Sequence, residues 1–319
     1  MDTSLHMADA VIWRLAVLVL LLMLLVCIVV WSTSAAIRFG VPRVRQWRDA
    51  TVQWAHLHDS RIAHATLLLL DPQRPASHAL LLGSLLLLGA GWLFLGVVED
   101  ILSGDPLVLV DQAVFHLLQG LRTRSVDIWM VAITDLGGVR VLLPLIGVVL
   151  AWLLFRRCWR TAAYWLAAVS FGELLVQLLK YTLGRRRPVD LYTGVEQFSF
   201  PSGHATASTV VLAFLAFLLC RNQAPRTRLA ISAVAGVYVV LVGFSRLYLG
   251  AHWLSDVVGG MSLAIAWVSF VAMVYTQRQI EEDIEPRGLL VTVVLALVIL
   301  GGASIHWAVA HDLHRYQSS

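Results

Sequence analysis

Residues 201–220 read PSGHATASTVVLAFLAFLLC: a proline, a serine, a glycine and a histidine, then sixteen residues without a charge. Crossing a hydrocarbon core about 30 Å thick takes roughly 20 helical residues. The apolar part alone is therefore short, and it spans only if its polar opening sits at the membrane edge. The surrounding chain is of the same kind, with 59% apolar and 14% charged residues over 319 positions and a mean hydropathy of +0.77. A soluble domain averages roughly 45–50% apolar and about 25% charged. Disorder, nucleic-acid binding modules and ordinary water-soluble domains are excluded by this composition, and the chain belongs in a membrane.

Working outward from that segment, eight apolar runs qualify or nearly qualify as spans: Val11 to Trp31, His78 to Val98, Val139 to Phe155, Thr161 to Leu179, Ala205 to Cys220, Leu229 to Phe244, Val257 to Tyr275 and Leu289 to Ala308. The expected fold is an all-α polytopic transmembrane bundle. The first run carries Asp2 and Asp9 and no cation before Arg14, which fits a retained helix better than a cleaved signal peptide. Ser32 to Ser77 is too polar to span and reads as a basic amphipathic surface segment. Glu99 to Gly138 reads as a helical connection on the opposite membrane face. Cys27, Cys158 and Cys220 are odd in number and lack metal-ligand spacing, so reduced thiols are expected.

Lys and Arg in the connections set the orientation. One set of loops holds fourteen cations, from Arg38 to Arg287, and the opposite set holds eight: Arg122, Arg124, Lys180, Arg185, Arg186, Arg187, Arg246 and Arg315. The larger set is expected in the cytoplasm, with both termini outside.

Five of the eight outer cations gather in two places against that trend. The first is Lys180-Tyr-Thr-Leu-Gly-Arg-Arg-Arg187-Pro188. The residue before a proline is pushed out of helical conformation, so the Arg187 guanidinium can turn back over the helix end. Lipid-headgroup anchoring stands beside a ligand role for Arg185 and Arg186. The second is Ser245-Arg246, followed by His252-Trp-Leu-Ser-Asp256. Between them lies Pro201-Ser202-Gly203-His204, where a helix N-terminus offers free N–H groups and partial positive charge to an anion. His252 and Asp256 are four apart, one helical turn. A carboxylate on one ring nitrogen leaves the other free as a nucleophile. Taken singly, Pro-Ser-Gly is a plain helix start and a His with an i+4 Asp is an ordinary structural pair. All three clusters fall on one membrane face, however, and three cations, a helix N-terminus and two histidines at one depth are what phosphoryl transfer requires.

These residues resemble the type 2 phosphatidic acid phosphatase superfamily, which also includes vanadium-dependent haloperoxidases. Its tripartite pattern, Lys-x6-Arg-Pro, Pro-Ser-Gly-His and Ser-Arg-x5-His-x3-Asp, is matched without departure. The only lysine among 24 cations falls on the family's lysine. The likeness covers roughly residues 78–276, giving a six-span phosphatase core between an N-terminal helix with its basic segment (1–77) and a C-terminal span with a short tail (277–319). It implies that His252 is the nucleophile forming a phosphohistidine, that Asp256 orients it, and that His204 is the general acid. Lys180, Arg187, Ser202, Gly203 and Arg246 would bind the phosphoryl group. No cofactor or metal is implied, although His306, His311 and His314 raise the thought of one near the C-terminus.

The expected activity is a membrane phosphatase removing phosphate from a lipid phosphomonoester or pyrophosphate of the undecaprenyl pyrophosphate, phosphatidylglycerol phosphate, phosphatidate or lipid A type. A lipid-to-lipid phosphotransferase and a non-catalytic lipid-phosphate transporter are the alternatives. The expected partners are the bilayer and the lipid substrate, not nucleic acid, and the expected location is a bacterial inner membrane with the site facing the periplasm. Glu173, Gln177 and Lys180 form one polar stripe, at i, i+4 and i+7, along the fourth run. Ionisable residues inside a membrane are functional candidates.

Overall fold

A computed structural model describes residues 46–72, 76–104, 107–189 and 197–311, the side chains of 78 and 308–311 excepted. The first apolar run, Cys27, the N-terminal arginines up to Arg45 and the histidine at 314 lie outside the described residues. The chain divides into two compact units, Met1–His78 and Ala79–Ser319.

In the first unit, residues 46–56 (α1) and Arg61–Leu70 (α2) are helical. Ser60 caps α2, its hydroxyl accepting from the Ala63 N–H. Such a cap satisfies one of the donors that a helix start leaves open. Val52, Ala55 and Ala63 are buried, while Trp47, Leu57 and Ile62 are exposed.

The regular structure described in the second unit is all helical apart from one isolated bridge between Arg186 and Phe198. Its elements are α3 (Ser77–Ser103, beginning just before the unit), α4 (Leu107–Gly120), α5 (Arg124–Leu136), α6 (Val139–Phe155), α7 (Trp159–Leu183), α8 (Gly203–Cys220), α9 (Pro225–Tyr248), α10 (Leu254–Gln277) and α11 (Pro286–His311). Among the described residues seven helices are long and apolar enough to cross a membrane. One of them, Arg124–Phe155, joins α5 and α6 through the corner at Gly137–Gly138. The segment read from sequence as a surface connection thus supplies α4 and a helix, α5, that runs directly into a span.

The 201–220 segment occupies the centre. α8 packs against α7, α9 and α10, and Val211, Phe214 and Leu218 along it are fully buried. Trp165 of α7 packs against Phe214. Small residues let the helices close: a Cβ at Gly172 would stand 3.1 Å from Val210, and one at Gly260 would stand 2.5 Å from the Thr206 hydroxyl. α9 runs further at both ends than the apolar run Leu229 to Phe244. Pro225 opens it at a position where no N–H is needed, and its last turn carries Arg246, which is buried. α7 ends at Gly184, whose φ of +55° is the left-handed conformation glycine takes without penalty. There its N–H donates to the Lys180 carbonyl.

Candidate active site

One end of the second unit gathers every residue singled out by the sequence motifs. Lys180 projects from the last turn of α7, Arg187 from the chain just after it, and Ser202, Gly203 and His204 from the start of α8. Arg246 comes from the last turn of α9, His252 from the α9–α10 connection and Asp256 from the first turn of α10. Six of them, Lys180, Arg187, Gly203, His204, Arg246 and His252, line one cavity of about 520 Å³. Main-chain bonds hold the segments in register. The Ser199 N–H donates to the Arg185 carbonyl at 2.7 Å, the Ser202 N–H to the Asp256 carbonyl at 3.0 Å, and the Ala251 and His252 N–H groups both to the Arg246 carbonyl.

His252 is 3% exposed. Arg187 Nη1 lies 2.8 Å from its Nε2 and also donates to the Ala251 carbonyl at 2.7 Å. A guanidinium can only donate, so Nε2 is the unprotonated nitrogen and the ring proton sits on Nδ1. That nitrogen is 3.4 Å from Asp256 Oδ2, within ion-pair range but without a hydrogen bond. Burial pushes the imidazole well below its ordinary range, and Arg187, Arg246, Lys180 and His204 push it the same way. His252 therefore presents a neutral Nε2 lone pair.

Asp256 is fully buried. Its Oδ2 accepts from the Trp253 N–H at 2.8 Å, capping α10, and its Oδ1 accepts from Arg185 Nη1 at 2.7 Å and from the Ser199 hydroxyl at 3.3 Å. Arg185 reaches on to Asp111 of α4, with Nη2 at 2.6 Å from Oδ2. The Asp111 carboxylate also accepts from the Ser255 N–H at 2.9 Å and from its hydroxyl at 2.5 Å. Arg185 is thus a bridge between two buried carboxylates. Headgroup anchoring does not describe it, although Arg186 remains exposed, with its carbonyl accepting from the Trp253 indole.

On the far wall Arg246 donates to the Thr134 hydroxyl at 3.0 Å. The Ser202 hydroxyl is fully buried without a hydrogen-bond partner. Such an orphan is costly unless a ligand completes it. A Cβ placed on Gly203 would stand 4.0 Å from the Lys180 ammonium, which sets the cation directly beside the helix start. The arrangement offers an anion three cations, a spare hydroxyl and a helix N-terminus, with an imidazole lone pair on the same cavity.

Known proteins are similar to this chain in sequence and fold. The PAP2 superfamily model matches residues 161–281. The chain is 32% identical over 178 residues to phosphatidylglycerophosphatase B of Bacillus subtilis, covering 54% of this chain and 87% of that protein. It is 36% identical over 138 residues to lipid A 1-phosphatase of Rhizobium etli, covering 40% of this chain and 55% of that one. The crystal structure of a transmembrane PAP2-type phosphatidylglycerolphosphate phosphatase from Bacillus subtilis superposes with a TM-score of 0.54 at 30% identity, over 61% of this chain and 97% of that chain. The chain belongs to the PAP2 superfamily of membrane phosphatases.

Proposed function

We propose that the chain hydrolyses a membrane lipid phosphate through a phosphohistidine on His252. The observation that carries the reading is the neutral Nε2 of His252 on a cavity lined by Lys180, Arg187 and Arg246, beside the unpartnered Ser202 hydroxyl. The three cations, the Ser202 hydroxyl and the Gly203 N–H take the phosphoryl oxygens, and Arg187 turns from Nε2 to an equatorial oxygen as the anion enters. The Nε2–P bond forms while the P–O bond to the lipid breaks, and His204 gives its proton to the departing lipid oxygen. Water then attacks phosphorus, His204 takes back a proton, and the N–P bond breaks to release inorganic phosphate and the neutral imidazole. Asp256, itself fixed by Arg185 and the Trp253 N–H, holds negative charge beside Nδ1 when the ring becomes cationic.

The relatives' names supply the substrate candidates: a phosphatidylglycerol phosphate or a lipid A type phosphate. Phosphatidate and undecaprenyl pyrophosphate share the same chemistry. The charge pattern supports a bacterial inner membrane, with the site on the periplasmic side. The six spans from α3 to α10 form the catalytic core.

Phosphate release from a panel of these lipids by the purified full chain in detergent tests the proposal. At least one lipid is expected to turn over, with activity retained in EDTA and inhibited by vanadate. His252→Ala and His204→Ala are each expected to lower the rate by about 10²–10⁴-fold. A rate within threefold of wild type in either variant would overturn that residue's role.

A further inference from the structure

The cavity does not end at the phosphate-binding residues. It continues along α7 between α6 and α8, lined by Leu143 and Ile146 on one side and by Val176 and Val210 on others. Into this apolar slot α7 presents two polar side chains, Glu173 and Gln177. The Gln177 amide donates to Glu173 Oε1 at 2.7 Å. Gln177 lies one turn below Lys180 and Glu173 lies two, which is about 10 Å along the axis at 1.5 Å per residue. A carboxyl at that depth of a spanning helix is expensive unless something polar meets it. Among the described residues that bond leaves the second Glu173 oxygen, the Gln177 carbonyl and one amide N–H as polar atoms the pair can offer a ligand in the cavity.

A lipid whose phosphate sits at Lys180 must lay its next atoms along this stripe. In a prenyl phosphate those atoms are hydrocarbon and would cover the pair without a hydrogen bond. In an acylated glycerol or sugar phosphate they are ester, amide or hydroxyl groups, which can pair with an amide N–H or with carboxyl and carbonyl oxygens. We infer that Glu173 and Gln177 form a selector for the linkage region, favouring acylated glycerol or sugar phosphates over prenyl phosphates. This rests on the reading of the cavity as a lipid-phosphatase site.

The experiment compares kcat/KM for diacyl phosphatidate and undecaprenyl phosphate in matched mixed micelles, using the full chain and the double variant Glu173→Leu/Gln177→Leu. Wild type is expected to favour phosphatidate by about tenfold, the size of one well-made hydrogen bond. The variant is expected to narrow the ratio to about twofold while still hydrolysing the prenyl phosphate. A folded variant with an unchanged ratio, or a wild type that favours the prenyl phosphate, overturns the selector and leaves the phosphatase reading standing. Where phosphatidate is not turned over the ratio is read with phosphatidylglycerol phosphate in its place, and only failure of the whole lipid panel overturns the phosphatase reading, and the selector with it. A second arm needs no variant. The diether analogue of phosphatidate lacks both carbonyls and is expected to lose about fivefold in kcat/KM, the scale of one net hydrogen bond, and equal values for diester and diether overturn the selector.

Discussion

At the scale of single residues, the site is built so that His252 stays neutral among cations. An exposed imidazole titrates near 6.5. Here burial, then Arg187, Arg246, Lys180 and His204, all oppose the charged form. The unfolded chain takes up a proton below about 6.5 while the folded one does not, so this group's contribution to stability is present above that pH and is lost as pH falls towards the folded value. NMR titration of the histidine-labelled, substrate-free protein, with His252→Gln for assignment, is expected to show a midpoint well below 6.5. A midpoint at or above 6.5 would mean that the cations do not face the ring as described. Lys180, Arg187, His204, Arg246, His252 and Asp256 are legible in the sequence because each motif is local, with its members within a few residues of one another. Arg185 was not. Its partners Asp111 and Asp256 lie 74 and 71 positions away, and no spacing rule connects an arginine to a carboxylate on a helix that the sequence placed only in a surface connection. The Ser202 hydroxyl shows a different limit, since its motif marks the residue but only the three-dimensional surroundings leave it unpartnered.

At the scale of elements, α11 is the helix whose role the sequence left open. The structure fastens it to α6 at both ends. At the end away from the site the Trp152 indole donates to the Ile284 carbonyl at 3.1 Å, and Arg156 pairs with Asp283 and Glu285 at 3.2 Å. At the site end the Arg140 guanidinium lies over the Trp307 ring, 3.5 Å from its centroid. Beside it the Ser304 hydroxyl donates to Asp135 Oδ2, and Arg140 donates to Asp135 Oδ1. Asp135 is the neighbour of Thr134, which accepts from Arg246. α11 therefore braces the α5–α6 corner whose Thr134 accepts from Arg246, a cation that lines the cavity. Ser304→Ala combined with Trp307→Leu removes the brace without touching the cavity. It is expected to lower thermal stability and to reduce kcat/KM by about three- to tenfold, the scale of one ordinary hydrogen bond transmitted to the site. Ile299→Ala, on an exposed stretch of the same helix, serves as the control with unchanged kcat/KM. A lowered melting temperature with full activity in the double variant would make α11 a scaffold only. The hydropathy pattern found this helix because periodicity and length are local properties. Its partner was illegible because Ser304 and Asp135 are 169 positions apart.

At the scale of the whole molecule, the distribution of charge argues for one orientation more strongly than a raw count of loop cations does. At the site end, much of the positive charge is answered within the protein, although Arg124 and Arg186 are exposed. Arg122 pairs with Asp127, Arg140 with Asp135, and Arg185 with Asp111 and Asp256, while Arg187 is bound to the Ala251 carbonyl and His252. Charges engaged in this way are neutralised by the fold and carry less weight as topology signals than unpaired loop cations. At the other end of the same helices stand Arg156, Arg157, Arg160, Arg221, Arg226, Arg228, Arg278 and Arg287, in or beside the connections between α6 and α7, α8 and α9, and α10 and α11, with Arg156 paired to Asp283 and Glu285 and Arg221 bound to the Tyr275 hydroxyl. Short loops rich in arginine are retained on the cytoplasmic side. With an even number of crossings between successive arginine-rich loops, the proposed orientation would carry the site end to the opposite face, where a lipid in the outer leaflet could present its headgroup without leaving the membrane. Single cysteines placed in a background lacking Cys27, Cys158 and Cys220 read this directly. Ser103→Cys, exposed at the end of α3, is expected to react with a membrane-impermeant thiol reagent in intact spheroplasts. Ser60→Cys, exposed at the start of α2, is expected to react only after permeabilisation. The reverse pattern would turn the site towards the cytoplasm and restrict its substrates to lipid phosphates of the inner leaflet.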